Sequence, residues 1–143
     1  MIRVQHAPLD CAAALASLGT AGAIASFIGH VRGDDGVATL TLEHYPGMTE
    51  AALERLADDA RARWPLEAAT IIHRVGPMRP GEAIVFVGTA SAHRAAALEA
   101  CAFLIDRLKT DAPFWKHEAR AEEGAGRWVE QRTGDTAAAD RWR

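Results

Sequence analysis

Apolar positions along this chain switch between two spacings, and each switch marks an element. From Thr49 to Trp64 they recur at helical intervals. Ala52, Leu53, Leu56, Ala57 and Ala60 make one face, and Glu54, Arg55, Asp58, Asp59 and Arg61 the other. Pro65 ends that helix. A second long helix is predicted over Ala92–Thr110, with Ser91 as N-cap and Ala97, Leu98, Cys101, Ala102, Ile105 and Leu108 on its apolar face. Pro113 fixes the exit. A short alanine-rich helix opens at Asp10 and closes near Gly19, and Asp135 caps a last one.

Between the helices the pattern is that of strands. Ile2–Ala7 is the first. Ala21–Val31 is a nearly unbroken apolar run, which predicts a strand buried on both faces. The turn Gly33-Asp34-Asp35-Gly36 and the alternating Val37–His44 predict its antiparallel hairpin partner, which would carry His44 and Tyr45 close to that turn. Ala69–Val75 and Ala83–Thr89 flank the loop GPMRPGE; Phe114–Ala121 and Arg127–Gln131 follow the second long helix. The order is β-α-β-β-α-β-β-α-β-β-α. Strands outnumber helices, so the fold class is α+β, with helices packed on a mostly antiparallel sheet in one domain over residues 1–143.

Composition narrows the function. The chain has 143 residues, 49% hydrophobic and 24% charged, with net charge -3, which argues against a broad nucleic-acid footprint. No run is long enough for a membrane span and MIRVQHAPLD has no signal-peptide core, so a cytoplasmic protein is expected. Cys11 and Cys101 lie in helical apolar stripes and read as core. With no CxxC or Cys/His cluster, no metal or cofactor is expected.

Candidate chemistry gathers at element ends. Lys109 closes the second long helix, and Lys116 follows Phe114 and Trp115 on the next strand. Taken singly, each has a plain role: a cation completing a helix dipole, and a solvated strand lysine. Taken together they form a corner where two amines converge. Mutual repulsion and partial burial both favour a neutral amine there. His93 and Arg94 sit in the first turn of a helix, where a cation is unfavourable unless an anion is expected. The basic strand end His30-Val31-Arg32 borders a glycine turn and can line a pocket. His73 reads as structural. An acidic chain with its cations so placed reads as a binder of a small anionic, phosphate-bearing substrate with a reactive lysine.

Five blocks then point to a family. TLEHYPGMTE (Thr41–Glu50), RWPL (Arg63–Leu66), IHRVG (Ile72–Gly76), FVGTASAHR (Phe86–Arg94) and LKTDAPFWKHE (Leu108–Glu118) occur in the order found in the large, catalytic subunit of molybdopterin synthase, which the chain resembles from about Gly22 to Trp142. The resemblance implies an α/β hammerhead-like fold and a sulfurtransferase of molybdenum cofactor biosynthesis. Such an enzyme converts cyclic pyranopterin monophosphate to molybdopterin. The two sulfurs come from the C-terminal Gly-Gly thiocarboxylate of a small ubiquitin-like subunit, in a heterotetramer built on a homodimer of large subunits. It implies Lys109 and Lys116 as the catalytic lysines. His93 and Arg94 become a substrate-binding pair reaching in from the neighbouring protomer, and Arg32 a pocket arginine. His117 and Glu118 stand beside the second lysine, and Arg132 completes the site. Phe27 and Phe114 become apolar walls. The rival readings are a Schiff-base lysine lyase acting on a phosphorylated carbonyl compound, a non-catalytic phosphometabolite-binding dimer and, more remotely, a single-stranded RNA binder.

Overall fold

The computed structural model describes residues 1–33, 36–120, 127–129 and 133–142, and the side chains of all of these except 120, 127–129, 133–135 and 137. The elements run β1 (Ile2–Gln5), α1 (Cys11–Ala16), β2 (Ala23–His30), β3 (Val37–His44), α2 (Met48–Arg63), β4 (Leu66–Arg74), β5 (Gly76–Met78), β6 (Ala83–Ser91), α3 (Arg94–Asp111), β7 (Phe114–Arg120), β8 (Arg127–Val129) and α4 (Thr133–Asp140). They form two four-stranded sheets. The first has the order β1-β4-β6-β2, with β1 parallel to β4 and the other pairs antiparallel. The second, β5-β3-β7-β8, is antiparallel throughout. The α+β class and the mostly antiparallel pairing are as the sequence predicts.

The main core lies between the first sheet and α2 and α3. Leu53, Leu56 and Ala60 of α2 and Ala97, Cys101, Phe103, Leu104 and Leu108 of α3 bury against Ala25, Ile71, Val85 and Val87. The opposite face of that sheet takes α1, where Ala14 and Leu18 meet Ile72 and Phe86. That approach needs Gly88, since a Cβ there would stand 2.6 Å from Leu18 Cδ1. A separate cluster, Val31, Leu40, Leu42, Val75 and Met78, joins the two sheets.

The structure departs from the sequence pattern at several elements. β2 and β3 are not a hairpin. β2 pairs with β6, while Leu40 and Leu42 of β3 are drawn into the cluster joining the sheets, so the chain changes sheet after Val31. His44 consequently lies across from Phe114, at the end of β3 away from the glycine turn. Asp34 and Asp35 of that turn lie outside the described residues. β2 is not buried on both faces either. It is an edge strand whose Ile24, Phe27 and Ile28 are each nearly two-fifths exposed. The loop GPMRPGE contains β5, an unpredicted strand that borrows its ladder from β3. Leu98 faces solvent; Phe103 and Leu104 take the α3 core positions that the predicted stripe misses. Ser91 ends β6 and does not cap α3. Its hydroxyl donates to the Pro65 carbonyl and accepts from the His93 amide, and His93 is the N-cap. α2 starts at Met48 behind Gly47, whose φ of 86° suits glycine. Asp135 falls inside α4 instead of capping it. The Asp10 cap holds, its carboxylate accepting from the Ala13 amide at 3.0 Å. Cys101 is buried as expected, and Cys11 only half-buried. No described helix is long and apolar enough to cross a membrane.

One buried residue ties the start of α2 to the start of β7. Thr49 is fully buried; its hydroxyl accepts from the Tyr45 amide at 3.2 Å and donates to the Pro113 carbonyl at 3.1 Å. Thr49→Val keeps the shape and strands both partners. A loss of about 1–3 kcal/mol is expected, read as a lower midpoint in urea unfolding with an unchanged slope.

Candidate active site

α3 and β7 meet at a corner made by Ala112 and Pro113. The last turn of α3 presents Lys109, exposed, and β7 presents Lys116, half-buried. Of the chain's sixteen Lys and Arg residues these are the only two lysines; every other one is arginine. Arginine stays protonated at any working pH, whereas a lysine amine can lose its proton when its surroundings disfavour the charge.

The β3–β7 register decides which way each β7 side chain points. Phe114 lies opposite His44, Lys116 opposite Leu42 and Glu118 opposite Leu40. Directly opposed residues share a face, so Phe114, Lys116 and Glu118 lie on the inner face with the buried leucines. Trp115 and His117 take the outer face with Glu43 and Thr41, and there Trp115 meets Tyr45 edge-on at 4.1 Å. The alternation predicted for Phe114, Trp115 and Lys116 is observed, and it places His117 on the face away from Lys116.

Beneath the corner lies His73 of β4. It is 6% exposed and its ring stacks on Phe114, 3.9 Å between centroids. Nδ1 is 2.9 Å from the Arg74 carbonyl, which can only accept, so Nδ1 carries the proton. Burial pushes the imidazole down to about 3, and the charges of Lys109, Lys116 and His44 push the same way against the pull of that carbonyl. Lys109, Lys116 and His44 thus each stand close enough to His73 to act on its charge. His44 in turn stands 3.6 Å from Glu50 at the start of α2.

Other predicted residues are placed differently. Val31 is buried in the cluster that Phe114 packs against, which brings this end of β2 to the corner. His30 and Arg32 are exposed on either side of it. Phe27 lies over Gly29, where an added Cβ would come within 3.4 Å of the ring. His93 and Arg94 are exposed at the far end of α3, with about 22 Å of helix between Arg94 and Lys109. One chain does not bring them to the lysines. Arg132 lies outside the described residues. A groove of about 300 Å³ between α2 and α3 is lined by Asp58, Asp59, Asp111, Arg55 and Arg107, and its acidic balance does not suit an anion. His73 itself was read from the sequence as structural; a histidine inside an apolar strand gives no signal of the lysines above it.

The His73 titration has a thermodynamic consequence. The unfolded ring binds a proton near 6.5 and the folded ring only near 3. His73 therefore leaves stability untouched above about pH 6.5 and removes about 1.4 kcal/mol per pH unit below it, down to about pH 3. Urea unfolding at stepped pH checks this. His73→Phe should flatten the decline between pH 6 and 4.

The family model described as MoaE protein matches residues 4–111. A molybdopterin synthase catalytic subunit from Mesorhizobium japonicum is 50% identical over 99% of this chain and 92% of its own length. The structure of a molybdopterin biosynthesis MoaE protein from Burkholderia ambifaria superposes with a TM-score of 0.84 at 47% identity, covering 99% of this chain and 96% of that one. A complex of subunits 1 and 2 of molybdopterin-converting factor from Helicobacter pylori has a TM-score of 0.70 at 20% identity over 87% of this chain and 92% of that one, which speaks for the fold alone. With matches over most of its length and the fold in common, this chain belongs to the MoaE protein family, whose members are catalytic subunits of molybdopterin synthase and enzymes of molybdenum cofactor biosynthesis.

Proposed function

We propose that the lysine corner moves sulfur from the C-terminal thiocarboxylate of a small ubiquitin-like subunit onto cyclic pyranopterin monophosphate. The observation that carries this reading is that the chain's only two lysines flank the α3–β7 corner, one on each element, and that both bear on the charge of His73 beneath it. The thiocarboxylate sulfur bonds to a substrate carbon as that carbon's bond to oxygen breaks, the oxygen leaving on the phosphate or, from a hydrated carbonyl, as water, so that pterin and carrier are joined as a thioester. Water activated by Lys109, or the Lys109 amine itself, then adds to the acyl carbon. Collapse of the tetrahedral intermediate breaks the acyl C–S bond, leaves the sulfur on the pterin and the carrier as a carboxylate or a transient amide. Lys116, charged, stabilises the oxyanion of that intermediate. Phe27 and Phe114 keep bulk water from the thiocarboxylate. Arg32, with His30 and Val31 at the same strand end, faces the substrate side. Glu118 shares the face of Lys116 and orients it. Arg132 completes the substrate contacts, and His117, on the opposite face of β7, contributes none.

The His93 and Arg94 pair binds the substrate phosphate, and it does so from a second copy of the chain. β2 supports this. It starts beside Ser91, ends beside Ala83, and hydrogen-bonds to β6 alone among the described strands. Two copies paired antiparallel along this edge bring the His93 end of one to the Arg32 end of the other.

Two experiments test the reading. In a reconstitution with thiocarboxylated carrier and cyclic pyranopterin monophosphate, the fluorescent oxidised product reports dithiolene formation. Lys109→Arg should fall by on the order of 10²–10⁴-fold, since arginine cannot act as base or nucleophile. Lys116→Arg should keep far more, since a cation remains. The reverse ranking would exchange the two roles, and no loss in either would end the proposal. Separately, inactive Lys109→Ala and His93→Ala proteins, mixed and allowed to re-pair, should recover about a quarter of wild-type activity if sites are shared between protomers. No recovery after demonstrated exchange would place His93 outside the site.

A further inference from the structure

Lys116 is placed by β7, and β7 is held at its first residue. Two contacts hold the chain at that point. Thr49 ties the preceding Pro113 carbonyl to α2, and the His73 ring lies under Phe114 with only 22° between the ring planes. We propose that His73 is a positioning residue for the lysine pair: oriented by its hydrogen bond to the Arg74 carbonyl and stacked on Phe114, its ring sets where β7 leaves the corner and so where Lys116 stands relative to Lys109.

Three features make histidine suited to this place. A flat ring offers Phe114 a face that an aliphatic side chain lacks. The Nδ1 proton occupies the Arg74 carbonyl, which a phenyl ring would leave without that donor. The ring also adds no third positive charge. The charges that bear on it are Lys109 from α3, Lys116 from β7 and His44 from β3, and all three oppose its protonation. Its register neighbours on β1 and β6, Val4 and Val85, are uncharged. An uncharged platform under two amines leaves their positive field for an anion.

The turnover readout rests on the sulfur-transfer reading, so the test includes one that does not. The chain has three amines: Lys109, Lys116 and the Met1 α-amine, which donates to the Ala69 carbonyl four residues before His73 on β4. Their acylation rates by an N-hydroxysuccinimide ester, followed against pH by peptide mass spectrometry, report each environment, with Met1 as internal control. His73→Asn keeps a donor for Arg74 and loses the ring. In the folded variant the Lys116 profile should move by about half a pH unit or more while that of Met1 stays. Dithiolene kcat should fall about tenfold or more with KM within about twofold. His73→Phe, which keeps the stack, should retain kcat within about threefold. Phe114→Leu removes the stack from the other side and should reproduce the His73→Asn profile. It decides alone if the His73 variants do not fold. Folded variants with unmoved Lys116 profiles and wild-type kcat would overturn the proposal. If wild type itself makes no product, the sulfur-transfer reading fails, and the amine profiles still decide the role of His73.

Discussion

The packing of α3 across the first sheet is the constraint on which the rest depends. Phe103 and Leu104 are fully buried against strands whose inner side chains, Ile71, Val85 and Val87, are also fully buried. Such a contact admits little sliding, because a close-packed core resists even a methylene of misfit. The helix thereby runs back over the sheet from the end of β6. Its first turn is committed to one edge of the molecule and its last turn to the other. The separation of the His93–Arg94 pair from Lys109 follows from helix length and this packing, before any chemistry is considered.

The second sheet supplies what the helix cannot. Leu40 and Leu42 anchor β3 in the cluster joining the sheets, and the β3–β7 register then hands Phe114, Lys116 and Glu118 the inner face. The corner is an agreement between two separately packed units. It meets at Pro113 and Phe114, where Thr49 and His73 supply the directional contacts that apolar packing lacks. The buried histidine connects local packing to electrostatics. Its low proton affinity is the result of burial, and that burial keeps the platform under the lysines neutral.

Much of this was legible in the sequence, for identifiable reasons. α2 was plain because its apolar residues repeat at helical spacing and Pro65 stops it. The Asp10 cap was plain because a carboxylate before an alanine run has one natural use. The lysine corner was legible because two amines flank a proline and two aromatics, and the family blocks run through it. The failures share a cause: a residue's neighbour in space was not its neighbour in the chain. An exposed apolar edge strand reads like a doubly buried one, so β2 was given the wrong environment. The next strand in sequence, β3, reads as its partner, although β6 holds that place. Gly76-Pro77-Met78 has the composition of a turn and becomes a strand because β3 offers it a ladder. Ser91 precedes a helix as a cap would, but its hydroxyl is engaged by Pro65. His73 gave no hint of its role because the group it serves is contributed from about forty residues downstream through the fold.

The exposed edge of β2 bears on how the chain behaves in solution by itself. From Ala23 to Gly29 the strand carries no charge and no proline, and Ile24, Phe27 and Ile28 stand outside the core. Proteins commonly guard such edges with lysine, proline or an inward-turned charge. Here the only irregularity is the register shift at Gly29 and His30. A newly made chain thus displays an adhesive backbone ladder until something covers it. An unguarded ladder of this kind pairs readily with other strands, so the hazard of aggregation rises with the concentration of the chain.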